Sequence, residues 1–535
     1  MSDRIGYARC RLTRVAHTSD REVLVSISFR MPAADRGPFG RALGVAVVAF
    51  VLSGCSPLGP DFVRPLFSTS ETYVPQQPSE VEAANIRGGN VQTLVRGMDI
   101  PGQWWTLFKS EELDTLIKTA FAEHPTIGAA TAALRSANEQ LAAQRASLLP
   151  TLQLGLDGNQ NQTPANIAPV PVTGQSAYGL LAGRLQVTYL LDVWGAKSRR
   201  VESAQALASV QCFQVQAAYL TLASSIAVAA IEEAALREEL RAKAAIVNAQ
   251  RQTLDVVTRQ TQAGLITGQE VAAQRAALAQ VESTLPAIRK ALSLQRNQLA
   301  VLSGALPNAP PSQEFQLADF QLPRELPLTL PSRLLEHRPD VRAAIEQLRS
   351  SSALIGVARA NQFPQFMLSA SAAPQTLALD GLLSPVSLGA NFGLGILQTL
   401  FDGGALAAKR RQAVADFEKA QADYRLTVLN AFREVADALR SLEYDAQALA
   451  AAVNAERAAE ESLAVARRRL ELGDVTYTAV LTAELLYQQT LMARVRAQAN
   501  RLLATASLLQ ALGGGWWNTQ AAACAGTASG PTGEK

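Results

Sequence analysis

Two stretches of this chain, Ala196 to Gly264 and Ala405 to Gly473, contain no proline and no glycine ahead of their closing residue. A helix rises about 1.5 Å per residue, so either stretch, if unbroken, makes a rod roughly 100 Å long. That is several times the width of an ordinary domain. A periodic segment of this length without internal caps points to a coiled coil or a helical repeat. In the second stretch the larger apolar or alanine positions fall at 424, 428, 432, 435, 439, 442, 446, 449 and 453. Their steps of three and four alternate as in a heptad, the spacing of one helix packed along another. Composition agrees. Hydrophobic residues make up 48% of the chain, with many alanines in the rods, and charged residues only 18%, below the usual quarter or so. Closely packed helices with little fully solvated surface follow.

The rest of the chain is arranged around these rods, twice. Gly59 to Pro65 is proline-bounded extended chain, and residues 66–100 are polar and turn-rich, as in a tether. Trp104 to Phe108, then Leu113, Leu116 and Ile117, begin folded structure at helical spacing. A second helix runs from about Thr126 to Leu149, between Pro125 and Pro150. Leu152, Leu154 and Leu156 then alternate with polar or small residues. After a loop, Leu181, Leu185, Val187, Tyr189 and Leu191 share one face of a strand, with Arg184, Gln186 and Thr188 on the other. The first rod follows and turns at Gly264. Its return helix is expected to be interrupted at Leu285-Pro286 and to end near Gly304.

The pattern then restarts. Pro125 and Pro339 are 214 apart, as are Pro150 and Pro364. Gly264 and Gly473 are 209 apart, as are Gly304 and Gly513. Phe366, Leu368 and Ala370, and later Leu388, Ala390, Phe392, Leu394 and Ile396, repeat the alternation. Matched offsets across proline, strand, turn and end mark an internal duplication. The expected divisions are a leader (1–54), a tether (55–110), a first repeat (111–304), a proline-rich linker (305–331), a second repeat (332–513) and a disordered tail (514–535).

The leader has Arg36 and Arg41 before an apolar core, Ala42 to Leu52, of signal-peptide length and too short to span a bilayer. Met31 lies one short basic segment ahead of it and is the expected translation start. Leu52-Ser53-Gly54-Cys55 resembles a bacterial lipobox, with acyl chains on Cys55 as the anchor. Ser56 favours sorting to the outer membrane. The leader also carries the positive balance. Of 49 basic and 46 acidic residues, 8 Arg and 4 acids precede Cys55, leaving 41 and 42. Bulk charge therefore argues for no nucleic-acid partner. Cys212 and Cys524 lie far apart and are expected to be incidental free thiols rather than a bridge.

Four amphipathic strands cannot close a barrel, and an open edge in lipid leaves backbone groups unpaired. The smallest closed barrels need about eight strands, so the chain must associate, each copy contributing four. Two soluble hairpins fit the alternation in isolation; the lipobox and the missing apolar partner favour the barrel. No catalytic constellation, phosphate loop or metal cluster stands out. His17 lies in the leader, and His124 and His337 sit beside helix-starting prolines, where a boundary role is expected.

In the order Leu52–Cys55, Gly59–Pro65, Trp104–Phe108, Arg338-Pro339-Asp340, Phe401-Asp402-Gly403-Gly404, and the turns at Gly264 and Gly473, residues 52 to 513 resemble the TolC/OprM-type outer-membrane efflux channels, in their lipoprotein (NodT-like) branch. The resemblance implies a mainly α fold with a transmembrane β part. Long antiparallel helix pairs form an α-barrel, and a homotrimer closes a twelve-stranded β-barrel. It implies a passive, non-enzymatic exit duct without cofactor, in the outer membrane and extending into the periplasm. Its partners would be a periplasmic adaptor and an inner-membrane pump of the resistance–nodulation–division class. Arg184, Gln186 and Thr188 would face the barrel lumen. The turns at Gly264, Gly473 and Asp474 would form the periplasmic tip, with Thr478 and Thr482 in the gate region.

Family channels often carry an acid nine positions past the second glycine. Here that position holds Thr482, and its first-half counterpart is Ala273. An apolar or hydrogen-bonded constriction stays open as the alternative. Asp474 is either a solvated turn acid or part of the closure, and Arg467-Arg468-Arg469 either a solvated face or a bridge to a neighbouring helix. Export of small molecules is the expected role. A type I protein-secretion channel and a poreless periplasmic coiled-coil lipoprotein are the alternatives.

Overall fold

The computed structural model describes residues 57–65, 72–82, 84, 86, 89–162, 177–377 and 384–518. In chain order its elements are β1 (Glu80–Val81), β2 (Gln92–Arg96), α1 (Glu111–Glu123), α2 (Pro125–Ala146), β3 (Thr151–Gln162), β4 (Ala177–Leu191), α3 (Ala196–Gln262) and α4 (Gly268–Leu302). There follow β5 (Glu325–Leu328), α5 (Pro331–His337), α6 (Pro339–Ala360), β6 (Gln365–Thr376), β7 (Leu388–Leu397), α7 (Ala405–Glu471) and α8 (Tyr477–Ala511).

Each rod is one helix. α3 and α7 are 67 residues long and their return helices α4 and α8 are 35, so the returns cover about half of each rod. The duplication is exact at element level: α7 and α8 begin 209 positions after α3 and α4, and α6 and β6 begin 214 after α2 and β3. The heptad-like series on α7 is the buried one. Tyr424, Val428, Val435, Leu439, Leu442, Ala446, Leu449 and Val453 are all buried, and Phe432 packs against the same core.

Local chemistry sets both ends of the rods. Asp192 accepts hydrogen bonds from the backbone N–H of Lys197 and of Ser198, each 2.8 Å. Asp402 accepts from Gly404 and Leu406 at 2.8 and 2.7 Å. Each carboxylate thus faces the positive end of a helix that begins after a left-handed glycine, Gly195 or Gly404. At the far ends, Gly264 and Gly473 have φ of 74° and 73°. The N–H of the residue after each reaches back five positions, Leu265 to Gln260 and Asp474 to Arg469, both 2.9 Å. This is the Schellman arrangement, which satisfies carbonyls a helix end would otherwise orphan.

The main core lies midway along the rods. Leu222 to Leu236 of α3, Tyr424 to Ala446 of α7 and Val495 to Leu512 of α8 surround Trp104, Phe108, Leu113 and Ile117. α3 holds an 18-residue window apolar enough to cross a membrane, 56% buried. Its apolarity goes into this core.

Five expectations need correcting. Pro286 does not interrupt α4, which runs unbroken from Gly268 to Leu302. The proline is on an exposed face, where water can take up the carbonyl it frees. The 305–331 segment is not a bare linker. β5 pairs in parallel with β2, and Phe315, Leu317, Phe320, Leu322 and Leu326 are buried. The 66–100 segment is correspondingly not only a tether, since β1 and β2 complete that sheet in the order β1-β2-β5. The start of the tail is ordered: Trp516 is buried against Phe213, and its indole N–H donates to the His337 carbonyl. Residues 519–535 lie outside the described residues. Finally, Cys212 is disulfide-bonded rather than free; the other cysteines, at 10, 55 and 524, all lie outside the described residues.

Candidate functional site

At one end of the rods, β3-β4-β6-β7 form a four-stranded antiparallel sheet whose edges, β3 and β7, are left unpaired. Its register carries the chemistry. Leu152 and Leu154 lie opposite Val187 and Leu185. Val187, Tyr189 and Leu191 lie opposite Ala370, Leu368 and Phe366, and these oppose Phe392, Leu394 and Ile396. One apolar face thus crosses all four strands without a slip. A one-residue shift anywhere would have sent a whole strand's apolar set to the other side. Among the described residues nothing covers it: Leu154 is 73% exposed, Phe392 74% and Ile396 62%. An apolar patch of this extent is not left in water by a soluble monomer.

The opposite face is polar. Thr151, Gln153, Gly155 and Asp157 oppose Thr188, Gln186, Arg184 and Ala182. Ser369 and Ser371 follow on β6, then Gly393 and Asn391 on β7. The structure therefore groups Arg184, Gln186 and Thr188, and Gln186 donates to Thr188 Oγ1 at 3.4 Å.

At the other end the rods turn. Asp474 pairs with Arg469 Nε at 2.7 Å, both groups more than half exposed. Thr478 and Thr482 are exposed one turn apart on α8; their hydroxyls bond Thr476 Oγ1 at 2.7 Å and the Thr478 carbonyl at 3.0 Å. None of the three enters the larger polar assembly just inside the tip. That assembly centres on Glu484, 4% exposed. Glu484 accepts from Gln250 Nε2 at 2.6 Å and from Arg467 at 2.8 Å. Gln274 Nε2 donates to the Gln250 carbonyl at 3.1 Å and to its side-chain oxygen, and Tyr477 OH donates to Gln274 Oε1 at 3.1 Å. Residues of α3, α4, α7 and α8 are thereby joined in one buried network. Burial, with the nearby Glu484 charge, pushes the Tyr477 hydroxyl up to about 12, so it stays a donor.

Glu484 lies two positions past Thr482, out of register with the family's acid. Its partners are 17 to 234 positions away, and only packing shows that it meets them. Arg467 is the bridge between helices; Arg468 and Arg469 make local pairs with Glu471 and Asp474.

His124 and His337 sit at helix boundaries as expected. His124 Nδ1 accepts from Thr126 N at 3.2 Å, capping α2. Among the described residues no group of three or more His, Cys, Asp or Glu is placed to hold a metal. Cys55 lies outside the described residues.

The model of the family described as outer membrane efflux protein matches residues 116–305 and 330–514, one block per repeat. The chain is similar to the pyoverdine export outer membrane protein OpmQ of Pseudomonas aeruginosa, 30% identical over 77% of this chain and 87% of that protein. It is 26% identical to nodulation protein T of Rhizobium leguminosarum, over 82% and 84%. Among solved structures, the outer membrane protein VceC of Vibrio cholerae superposes with a TM-score of 0.73 at 27% identity, covering 78% of this chain and all of that one. The CmeC outer membrane channel of Campylobacter jejuni, at 20% identity, shares the fold with a TM-score of 0.76 over 87% of this chain and 96% of that one. With both repeats matched, the sheet and rods in place and relatives aligned over most of their length, the chain belongs to the outer membrane efflux protein family.

Proposed function

We propose that three copies of this chain form a passive exit duct for small molecules across the periplasm and outer membrane. The uninterrupted apolar face of the sheet, ending in two unpaired edges on a pair of 100 Å-class rods, carries this reading. Three sheets close edge to edge into a twelve-stranded barrel, with lipid outside and Arg184, Gln186 and Thr188 in the lumen. The rods continue the lumen through the periplasm. The turns at Gly264 and Gly473 are the surface an adaptor grips, and an inner-membrane pump supplies the energy. The chain itself performs no chemistry and needs no cofactor.

The tip closes without an acidic ring. Thr478 and Thr482 line the constriction, and Asp474 serves as a solvated turn acid neutralised by Arg469. Acyl chains on Cys55 add a second hold on the membrane. Pro57 rests against Gly195, at the junction of β4 and α3, where a Cβ on the glycine would come within 2.5 Å of it. The export roles in the names of the relatives, pyoverdine for OpmQ and toluene for the efflux pump protein TtgC of Pseudomonas putida, favour small molecules over secreted proteins.

Deleting the gene and scoring both a panel of toxic small molecules and the secreted proteome tests this. Sensitisation to compounds with an unchanged secretome is expected. Loss of a secreted protein without sensitisation would turn the reading to protein secretion. Purified protein that never conducts in planar bilayers, even with Glu484 replaced, would turn it to a poreless scaffold.

A further inference from the structure

A hollow of about 390 Å³ lies between α6 and α7, with Pro60 on its rim. Pro60, Ile355, Val414 and Ala415 give it apolar walls, and Arg359, Arg410 and Arg411 line it with charge against one carboxylate, Glu418. All three arginines are exposed, and none forms an ion pair with another described residue. At the same level of the first repeat, Arg199 is held by Asp61 and Glu202, each at 2.7 Å.

The hollow's height matters as much as its charge. Arg359 is one residue from the end of α6, and β6 begins at Gln365. Arg410 and Arg411 fall in the first two turns of α7, whose start follows β7 by seven residues. They therefore sit about 8–9 Å below the start of the helix. The polar headgroup zone of a bilayer extends about 5–8 Å beyond the hydrocarbon on each side, and an extended arginine covers the remainder. The connecting segment carries Leu400 and Phe401, 93% and 89% exposed, as a chain lying in the membrane interface would.

We propose that this hollow binds the phosphate of an anionic phospholipid headgroup in the periplasmic leaflet, one per protomer. The inference rests on the reading of the chain as an outer-membrane channel. Three guanidiniums converge on one anion, each able to present two N–H donors to phosphate oxygens. Ile355, Val414 and Pro60 receive the start of the lipid's acyl chains. The site would resist piston-like movement of the rods through the membrane.

The test uses full-length protein reconstituted in vesicles of phosphatidylethanolamine and phosphatidylglycerol, then released for native mass spectrometry, with inorganic phosphate as a competitor. The wild type is expected to retain phosphatidylglycerol up to one per protomer, resistant to millimolar phosphate. The triple variant Arg359→Gln, Arg410→Gln, Arg411→Gln should lose it with affinity reduced on the order of 100-fold, at roughly one kcal/mol per basic residue. A charge-matched control, Arg425→Gln, Arg457→Gln, Arg468→Gln, lies lower on the same helix and should retain it. Equal retention by both variants, wild-type retention of phosphatidylcholine just as strong, or full displacement by free phosphate would each overturn the proposal. Bilayer conductance of the same samples reports separately on the channel reading.

Discussion

Glycine does different work at different positions of this chain. At Gly264 and Gly473 a Cβ would touch nothing within 4 Å, so only the positive φ argues for glycine. Gly473→Ala should therefore ease local opening of the tip by about 1–2 kcal/mol, seen as roughly 5- to 30-fold faster amide exchange there, with trimer yield unchanged. At Gly514 a Cβ would run into Leu220 Cδ1, and at Gly515 into the Pro101 carbonyl. The leucine methyl can move aside but the backbone carbonyl cannot, so Gly515→Ala should cost most of the folded yield, measured as trimer recovered from membranes. At the tip, Glu484→Ala leaves Gln250 Nε2, in a side chain 2% exposed, without its acceptor. An unsatisfied buried donor costs about 1–3 kcal/mol. Higher channel conductance is the expected readout, while Asp474→Ala, at an exposed pair, should leave conductance unchanged.

His337 stacks on Trp517 with ring centroids 3.8 Å apart. Burial lowers its basicity below the ordinary histidine range; Asp99 and Glu336 oppose that shift and Arg333 adds to it. The unfolded chain then binds more protons than the folded one near the ordinary pKa of histidine, so stability rises with pH through that range. Acidifying from pH 7 to 5 should loosen the Trp516–Trp517 clasp, reported by tryptophan fluorescence. His337→Phe should remove that pH dependence.

Among elements, the strands show most directly what their pattern is for. Leu154→Arg puts a charge on the apolar face and should cost about 2–4 kcal/mol near mid-membrane. Gln153→Arg, one position away on the polar face, should cost far less. Folding titrations into vesicles would rank them; equal costs would mean the apolar face does not meet lipid. The strands and rods were legible because each is written in a local period, two or close to 3.5. The sheet β1-β2-β5 was not. Thr93 finds its partner Glu325 across 232 positions, and β5 is four residues long with a proline in it. Nothing in so short a segment separates it from a linker.

In the whole molecule, the two open edges call for neighbours. Gln153→Cys on β3 and Asn391→Cys on β7 lie on the polar face of opposite edge strands. A flexible cross-linker should join them between copies and give a ladder ending at three chains. A ladder ending at two, or continuing past three, would rule out the twelve-stranded closure. Within one copy, Arg338 ties the helices of the second repeat together at mid-height. It pairs with Asp340 at 2.7 Å and Glu434 at 2.8 Å and donates to the Ala511 carbonyl at 2.9 Å. A buried cation shared by the start of α6, the middle of α7 and the end of α8 explains why the Arg338-Pro339-Asp340 motif opens the second repeat.

Sequence alone determined the rods, their turns, the strand faces and the duplication. Each depends on neighbours within a few turns or residues, where periodicity and backbone preference act. Tertiary structure decided the rest: that Glu484 gathers Gln250 and Arg467 from other helices, that the 305–331 segment supplies a strand, that Trp516 locks onto Phe213, and that Pro286 stays inside a helix. Those outcomes depend on groups tens to hundreds of positions apart, and on whether a side chain ends up buried or in solvent. No local pattern records that.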